Sequence, residues 1–153
     1  MARLWARTVT FESVNVGDQL PILIKWETRE SIQASQALAS TTDAGPEEAG
    51  PELSLDPAAL VSYVTELLEK AFPISSIVAP GSRLQVEPLA PVRASDTLAC
   101  FGEVVGKRRD VGRGLVDCVI IMENQDGETV GRAAATVALD VDSGSQDAPA
   151  GPQ

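Results

Sequence analysis

The segment LDPAALVSYVTELLEKAFP, residues 55–73, is the feature that most constrains the fold. Asp56 is a candidate N-cap, Pro57 suits the first helical position and Pro73 ends the pattern. We predict a helix of about 17 residues, or about 25 Å. Its apolar side chains recur at helical spacing, at Leu60, Val64, Leu67, Leu68 and Ala71, with Val61 and Phe72 widening the stripe. A helix with so broad an apolar face needs a sheet to lie on.

The rest of the chain supplies strands for that sheet. Residues 7–14 and 22–28 alternate as strands do, with turn residues VGDQLP between them, and Ile22, Ile24 and Trp26 share one side of the second strand. Further strand patterns follow the helix at residues 82–92, 96–109, 114–124 and 128–140. NQDG predicts a hairpin turn between the last two.

This order of elements predicts an α+β fold, with the long helix packed across one face of a curved antiparallel sheet. The open sheet edges favour joining two sheets across a dimer.

Two segments lie outside this core pattern. Thr28 is a candidate cap for a helix over residues 29–39, with Glu30 in its first turn. Residues 39–52 lose all periodicity, contain Gly and Pro, and are acidic, so they predict a loop. We expect residues 1–140 to form one domain and residues 141–153 to be a disordered acidic tail.

Charge and residue types exclude several functions. The 153 residues carry a net charge of -10, which disfavours nucleic acid and anionic membrane surfaces as partners. The chain has no histidine, so Ser-His-Asp and Cys-His catalysis within one chain is excluded. Cys100 and Cys118 lie in strand patterns without metal-site spacing, and we expect buried thiols and no metal site.

We expect no targeting or membrane segment in this chain. MARLWAR is not followed by an apolar stretch typical of a signal peptide, and no apolar run approaches the length of a transmembrane helix. We expect a soluble cytoplasmic protein without a cofactor.

The order of these motifs resembles the MaoC-like hotdog proteins, the family of enoyl-CoA hydratases and 3-hydroxyacyl dehydratases. FESVNVGDQLP is similar to the family's opening segment, and TRESIQASQALAS is similar to its first helix. The stretch from EPLAPV to ATVAL is similar to its last strands, so the resemblance covers about residues 9 to 140. It implies a hotdog fold and a thioester ligand, either acyl-CoA or an acyl-carrier thioester.

The family's catalytic loop has the form D-x-N-P-x-H, and DAGPEE is the matching run here. Asp43 stands at the family's Asp, whereas Glu48 stands where the family has His. The family polarises the thioester carbonyl with a backbone amide at the start of the long helix. Here Pro57 has no N–H to donate, and Asp56 adds negative charge where an oxyanion would form. These changes oppose the family's hydration chemistry.

Other residues are candidates for substrate binding. A thioester of CoA carries phosphates, for which the cationic run of Lys107, Arg108, Arg109 and Arg113 is a candidate site. A solvated hairpin tip is the alternative. Tyr63, near the apolar stripe of the long helix, is a candidate for lining an acyl tunnel or for core packing.

Three hypotheses stay open. The first is a thioester-binding protein without independent hydratase activity, a homodimer or the non-catalytic half of a heterodimer with a catalytic MaoC-like subunit. The second is an enzyme that uses Asp43 and Glu48, either a hydratase or dehydratase or an acyl-CoA thioesterase. The third is a hotdog dimer used only for assembly, with no thioester ligand.

Overall fold

A computed structural model describes residues 2–28, 30 and 55–141 of the chain. In that part, five strands and two helices follow one another as β1 (Leu23–Trp26), α1 (Ala58–Ala71), α2 (Ile74–Ile77), β2 (Arg83–Pro88), β3 (Thr97–Asp110), β4 (Arg113–Glu123) and β5 (Thr129–Asp140). The predicted helix over 29–39, the acidic loop and the tail lie outside the described residues, apart from Glu30, which is helical, and Val141, which is buried in the core.

The strands form one antiparallel sheet in the order β1-β3-β4-β5-β2. β3, β4 and β5 form the predicted meander. Asn124 shapes the turn between β4 and β5, because its Oδ1 accepts hydrogen bonds from the backbone N–H groups of Asp126 and Glu128 at 2.9 and 3.0 Å. The shorter strands β1 and β2 are the two edges.

Helix α1 lies across one face of this sheet, as predicted. Leu60, Val64, Leu67, Leu68 and Ala71 are at most 2% exposed. Burying an aliphatic side chain of this size contributes about 1.5–3 kcal/mol, so this stripe is the main attachment of the helix. Val61, which the sequence assigned to the same stripe, is 44% exposed and faces away from the core. The helix is also shorter than predicted, at 14 residues, because Phe72 is already extended before Pro73.

Glycine allows close packing where α1 meets the sheet. A Cβ added at Gly131 of β5 would lie 3.1 Å from Leu60 Cδ1 and 3.0 Å from Met122 Cε. This contact places the first turns of α1 over the end of the sheet where β5 begins and β4 ends.

The strand predicted over residues 7–14 is wrong, because the structure has turns there. Thr10 and Ser13 bond to each other, each backbone N–H donating to the other's hydroxyl oxygen at 3.1 Å. Such local side-chain bonds compete with strand pairing and favour a turn. Phe11 and Val14 nevertheless lie in the core, at 3% and 0% exposure. The apolar pattern therefore reflects burial of these side chains and does not indicate a strand.

Candidate functional site

The residues at the start of α1 leave no free backbone N–H group there. Pro57 has helical angles, φ -54° and ψ -25°, so Asp56 is the capping residue, and Asp56 Oδ1 accepts a hydrogen bond from the N–H of Ala58 at 2.9 Å. The predicted roles of Asp56 as cap and Pro57 as first helical residue therefore match the geometry. As a proline, Pro57 contributes no N–H.

The next two N–H groups of this turn are also occupied. The N–H of Ala59 donates to the carbonyl of Asp56 at 2.8 Å, and the N–H of Leu60 donates to the carbonyl of Pro57 at 3.0 Å. A helix N-terminus binds an anion through N–H groups that have no acceptor within the helix. From residue 57 to residue 60, every N–H is absent or already bonded, so this turn offers no donor to a developing oxyanion.

Further along the helix, α1 meets the edge strand β1 through polar side chains. Lys25 Nζ lies 2.8 Å from Glu66 Oε1 and 5.1 Å from the centre of the Tyr63 ring. The Lys25 and Glu66 side chains are 30% and 43% exposed, so this ion pair lies at the surface end of the contact. We call the contact formed by Lys25, Glu27, Tyr63 and Glu66 the polar seam.

Glu27 is the residue of the polar seam that sequence reasoning missed. It is 1% exposed and lies close to the phenol of Tyr63. Burial first, and then the neighbouring carboxylate of Glu27, raise the pKa of Tyr63 far above its ordinary value. The alternation of side chains along β1 could have predicted that Glu27 is buried. Glu27 lies on the same side as Leu23, which packs in the core, and opposite Ile24 and Trp26.

The two cysteines are free and buried, as predicted. Burial raises the pKa of each thiol to about 12, Cys100 next to the polar seam and Cys118 in the middle of β4. Only the thiolate is a nucleophile, so neither residue is suited to covalent catalysis.

The cationic residues lie at the β3–β4 hairpin and contact the N-terminal segment. Lys107 Nζ donates to the carbonyl of Val14 at 2.6 Å and lies 4.6 Å from the centre of the Phe11 ring. Arg109 is 5.1 Å from the same ring and 3.4 Å from Glu12 Oε2.

Arg108 forms an ion pair with Asp117. Arg113 begins β4 and lies opposite Asp140 in the register of β4 and β5. Three of the four predicted phosphate ligands, Lys107, Arg108 and Arg109, therefore have partners within the chain.

The cationic hairpin and the start of α1 are far apart. Arg113 pairs with Asp140, whereas Met122, nine residues further along β4, pairs with Gly131 beneath Leu60. Nine residues of strand correspond to about 30 Å. The structure therefore brings Asp56, Pro57 and Tyr63 together in one region and the four cationic residues together in another.

Asp43 and Glu48, the predicted catalytic carboxylates, lie outside the described residues. Among residues 2–28, 30 and 55–141, the structure contains no group of three or more Cys, Asp or Glu side chains able to hold a metal ion. In the same part of the chain, no helix is both long and apolar enough to span a membrane.

Comparison with known proteins identifies solved structures that have this architecture. No protein-family profile and no curated protein sequence matches the chain. Among solved structures, a MaoC-like dehydratase from Rhodospirillum rubrum is similar over 88% of this chain and 98% of its own, with a TM-score of 0.70 and 21% identity. A monoamine oxidase regulatory protein from Archaeoglobus fulgius covers 91% and 96% of the two chains, with a TM-score of 0.69 and 24% identity.

An (R)-hydratase from A. caviae, involved in PHA biosynthesis, has a TM-score of 0.64 at 20% identity and covers 84% and 98% of the two chains. Similar structures also include the ChsH1–ChsH2 complex of Mycobacterium tuberculosis, with a TM-score of 0.59, and a hypothetical thioesterase with coenzyme A from Streptococcus pneumoniae TIGR4, with a TM-score of 0.53. These structures are similar to the chain over most of its length, and they have the same arrangement of sheet and helix that is described above. The chain has the hotdog fold of the MaoC-like dehydratases.

Proposed function

We propose that this protein binds acyl thioesters of the CoA or acyl-carrier type on a MaoC-like hotdog scaffold and does not hydrate them by itself. The observation that carries the proposal is that the first turn of α1 has no free backbone N–H group. Pro57 has no N–H, and the Asp56 carboxylate occupies the N–H of Ala58 at 2.9 Å. Electrostatic stabilisation of an oxyanion needs donors aimed at the oxygen, and removing one such donor costs an enzyme about 10²–10³-fold in rate.

The sequence supports the same proposal from the acid–base side. Without histidine, the chain would depend on carboxylates such as Asp43 and Glu48 to move protons. Two ionised carboxylates near a forming enolate would raise its energy by repulsion. A scaffold that lacks both an oxyanion donor and an imidazole is suited to binding and not to hydration.

In a heterodimer, a catalytic partner subunit would supply the missing chemistry. The similar structures include a complex of two differently named chains, ChsH1 and ChsH2. We propose that this chain acts as a homodimer or as the non-catalytic half of a heterodimer with a catalytic MaoC-like subunit, in the cytoplasm.

Titration calorimetry and a hydratase assay test the proposal together. The purified chain should bind crotonyl-CoA measurably and produce no hydrated product, and a thermal shift with CoA esters should accompany the binding. Turnover that Glu48→Gln abolishes would show an active enzyme. Absence of any thermal shift across a panel of CoA esters would favour an assembly role without a thioester ligand.

A second candidate function is an enzyme that works through carboxylates, as a hydratase, a dehydratase or an acyl-CoA thioesterase. The buried carboxylate of Glu27 favours it, because the fold holds this acid out of water beside α1, a setting typical of catalytic carboxylates. This candidate predicts turnover of some acyl-CoA that Asp43→Asn or Glu27→Gln removes, with Glu66→Gln as the matched control for Glu27 on the exposed side of the polar seam. Inactivity across a broad acyl-CoA panel counts against it.

A further inference from the structure

The loop between β2 and β3, residues 89–96, contacts the residue that leads into α1. The N–H of Leu55, which directly precedes the capping residue Asp56, donates to the carbonyl of Val92 at 2.7 Å. Leu55 and Val92 are 5% and 4% exposed, so this contact is buried. The position of the β2–β3 loop therefore determines where the first turn of α1 lies.

The same loop also holds the backbone of Glu27. The N–H of Glu27 donates to the carbonyl of Asp96 at 2.8 Å, and the N–H of Ser95 donates to the carbonyl of Glu27 at 2.7 Å. Ser95 has a φ of 78°, a left-handed conformation that residues other than glycine adopt only where the surrounding contacts impose it. Val92 and Ser95 are three residues apart, so at most about 11 Å of chain separates the two contacts of the loop.

Gln125, in the turn between β4 and β5, fastens the end of this loop. Its Oε1 accepts a hydrogen bond from the N–H of Thr97 at 2.9 Å, and its Nε2 donates to Asp96 Oδ1 at 2.9 Å. Because a backbone N–H can only donate, the amide of Gln125 is held with its nitrogen towards Asp96. The other oxygen of this carboxylate, Oδ2, accepts from the N–H of Arg93 at 2.8 Å. One exposed side chain therefore joins the turn to the loop.

The beginning of the loop is attached to the same hairpin. The N–H groups of Leu89 and Ala90 both donate to the carbonyl of Val130 in β5, at 2.8 and 3.2 Å. The hairpin of β4 and β5 also lies beneath Leu60 of α1. It therefore supports the start of α1 from the sheet directly, and from the side through a loop whose far end depends on Gln125.

We propose that Gln125 is a positioning residue for the thioester-binding site, which it serves by holding the β2–β3 loop against the start of α1 and the backbone of Glu27. The inference rests on the proposed function, because it takes the first turn of α1 as the place of the thioester. Gln125 acts through the loop and not on the ligand. Its loss should therefore loosen these local contacts and leave the centre of the sheet unchanged.

A reciprocal exchange of donor and acceptor tests this role. Gln125→Glu sets two carboxylates against each other, since an oxygen then faces Asp96 Oδ1 in place of the nitrogen. Adding Asp96→Asn restores the pair, because the carboxylate at position 125 accepts from both Thr97 and the new carboxamide. Asn124→Asp is the matched control, since it adds the same charge to the same turn and keeps the oxygen that shapes the turn.

Hydrogen exchange followed by NMR is the first readout. The N–H groups of Leu55 and Glu27 should lose about tenfold in protection in Gln125→Glu and regain most of it in the double variant. Ile120, in the middle of β4 and 0% exposed, should keep its protection in every variant. Unchanged protection at Leu55 and Glu27, or an equal loss at Ile120, overturns the proposal.

Affinity for crotonyl-CoA, measured by calorimetric titration, is the second readout. Gln125→Glu should weaken binding by about threefold to tenfold, the double variant should restore it, and Asn124→Asp should leave it unchanged. Undiminished affinity in Gln125→Glu overturns the role of this residue in the thioester site. If the wild-type chain binds no CoA ester, the proposed function fails by itself, whereas the exchange result supports or overturns the positioning of α1.

Discussion

The phenol of Tyr63 on α1 lies close to the carboxylate of Glu27, which directly follows the edge strand β1 and is 1% exposed. Burying a carboxylate is costly unless it accepts hydrogen bonds or is paired with a charge. This contact therefore fastens the central helix to the edge of the sheet, where the apolar stripe of α1 does not reach. It also puts an acid beside the helix whose start the MaoC-like resemblance assigns to the thioester.

Tyr63→Phe removes the phenol that lies beside the buried carboxylate of Glu27 and keeps the ring. We expect the free energy of unfolding to fall by about 1–3 kcal/mol, the usual cost of a lost partner for a buried polar group. Urea denaturation followed by circular dichroism measures it. Glu66→Gln on the same helix breaks the surface ion pair with Lys25 and should cost at most about 1 kcal/mol. Equal losses in the two variants would show that the buried contact between Tyr63 and Glu27 contributes no more to stability than the surface ion pair.

The same contact predicts how stability depends on pH at the alkaline end. The pKa of Tyr63 is raised in the folded chain above its ordinary value of 10.0, which applies when the chain is unfolded. The folded state therefore holds this proton more tightly, and its contribution is complete below about pH 10 and lost as pH rises further. Tyr63 is the only tyrosine, so phenolate absorbance should appear together with unfolding. Ionisation near pH 10 in a protein that is still folded would contradict this expectation.

Both thiols should be inert in the folded protein. Burial raises the pKa of Cys100 and of Cys118 to about 12, so the thiolate fraction near pH 8 is very small. A disulfide reagent such as dithionitrobenzoate should modify neither thiol at that pH and both after denaturation. Rapid modification of one thiol in the folded state would indicate that it is accessible and ionised.

Gly114→Ala should be strongly destabilising, because a Cβ there would overlap the ring of Phe11. We expect a loss of about 1–3 kcal/mol or more, as for other overpacked cores. Gly106→Ala on the neighbouring strand is the control, since its Cβ would meet only the movable carboxylate of Asp117, with Oδ2 at 3.1 Å. If thermal denaturation shows similar losses for both, the Phe11 contact is not decisive.

Lys107→Ala separates the two roles of the cationic hairpin. Lys107 lies over Phe11 and donates to Val14, so its loss should lower stability by about 1–2 kcal/mol. Because the hairpin is far from the start of α1, affinity for a short acyl-CoA should change by less than about twofold. Calorimetric titration measures the affinity, and Lys107→Arg, which keeps a cation over the ring, is the matched control. A large loss of affinity with little loss of stability would restore the predicted phosphate-binding role.

The periodic patterns of the sequence determined most of the fold. The stripe from Leu60 to Ala71, the cap at Asp56, the stop at Pro73 and the meander of β3, β4 and β5 follow from local spacing and turn chemistry. These signals are reliable because each repeats over many residues. The short pattern at residues 7–14 failed, since local bonding between Thr10 and Ser13 outweighs strand propensity there.

Only the tertiary structure decided what each residue contacts. Alternation placed Ile22, Ile24 and Trp26 together but did not say that their side of β1 faces solvent while Glu27 is buried. The sequence also grouped the cationic residues with the start of α1 as one binding set, whereas the register of β4 separates them by about 30 Å. Periodicity reports which side chains share a face. Which face is covered, and which distant residues meet across it, depends on packing between elements far apart in the chain.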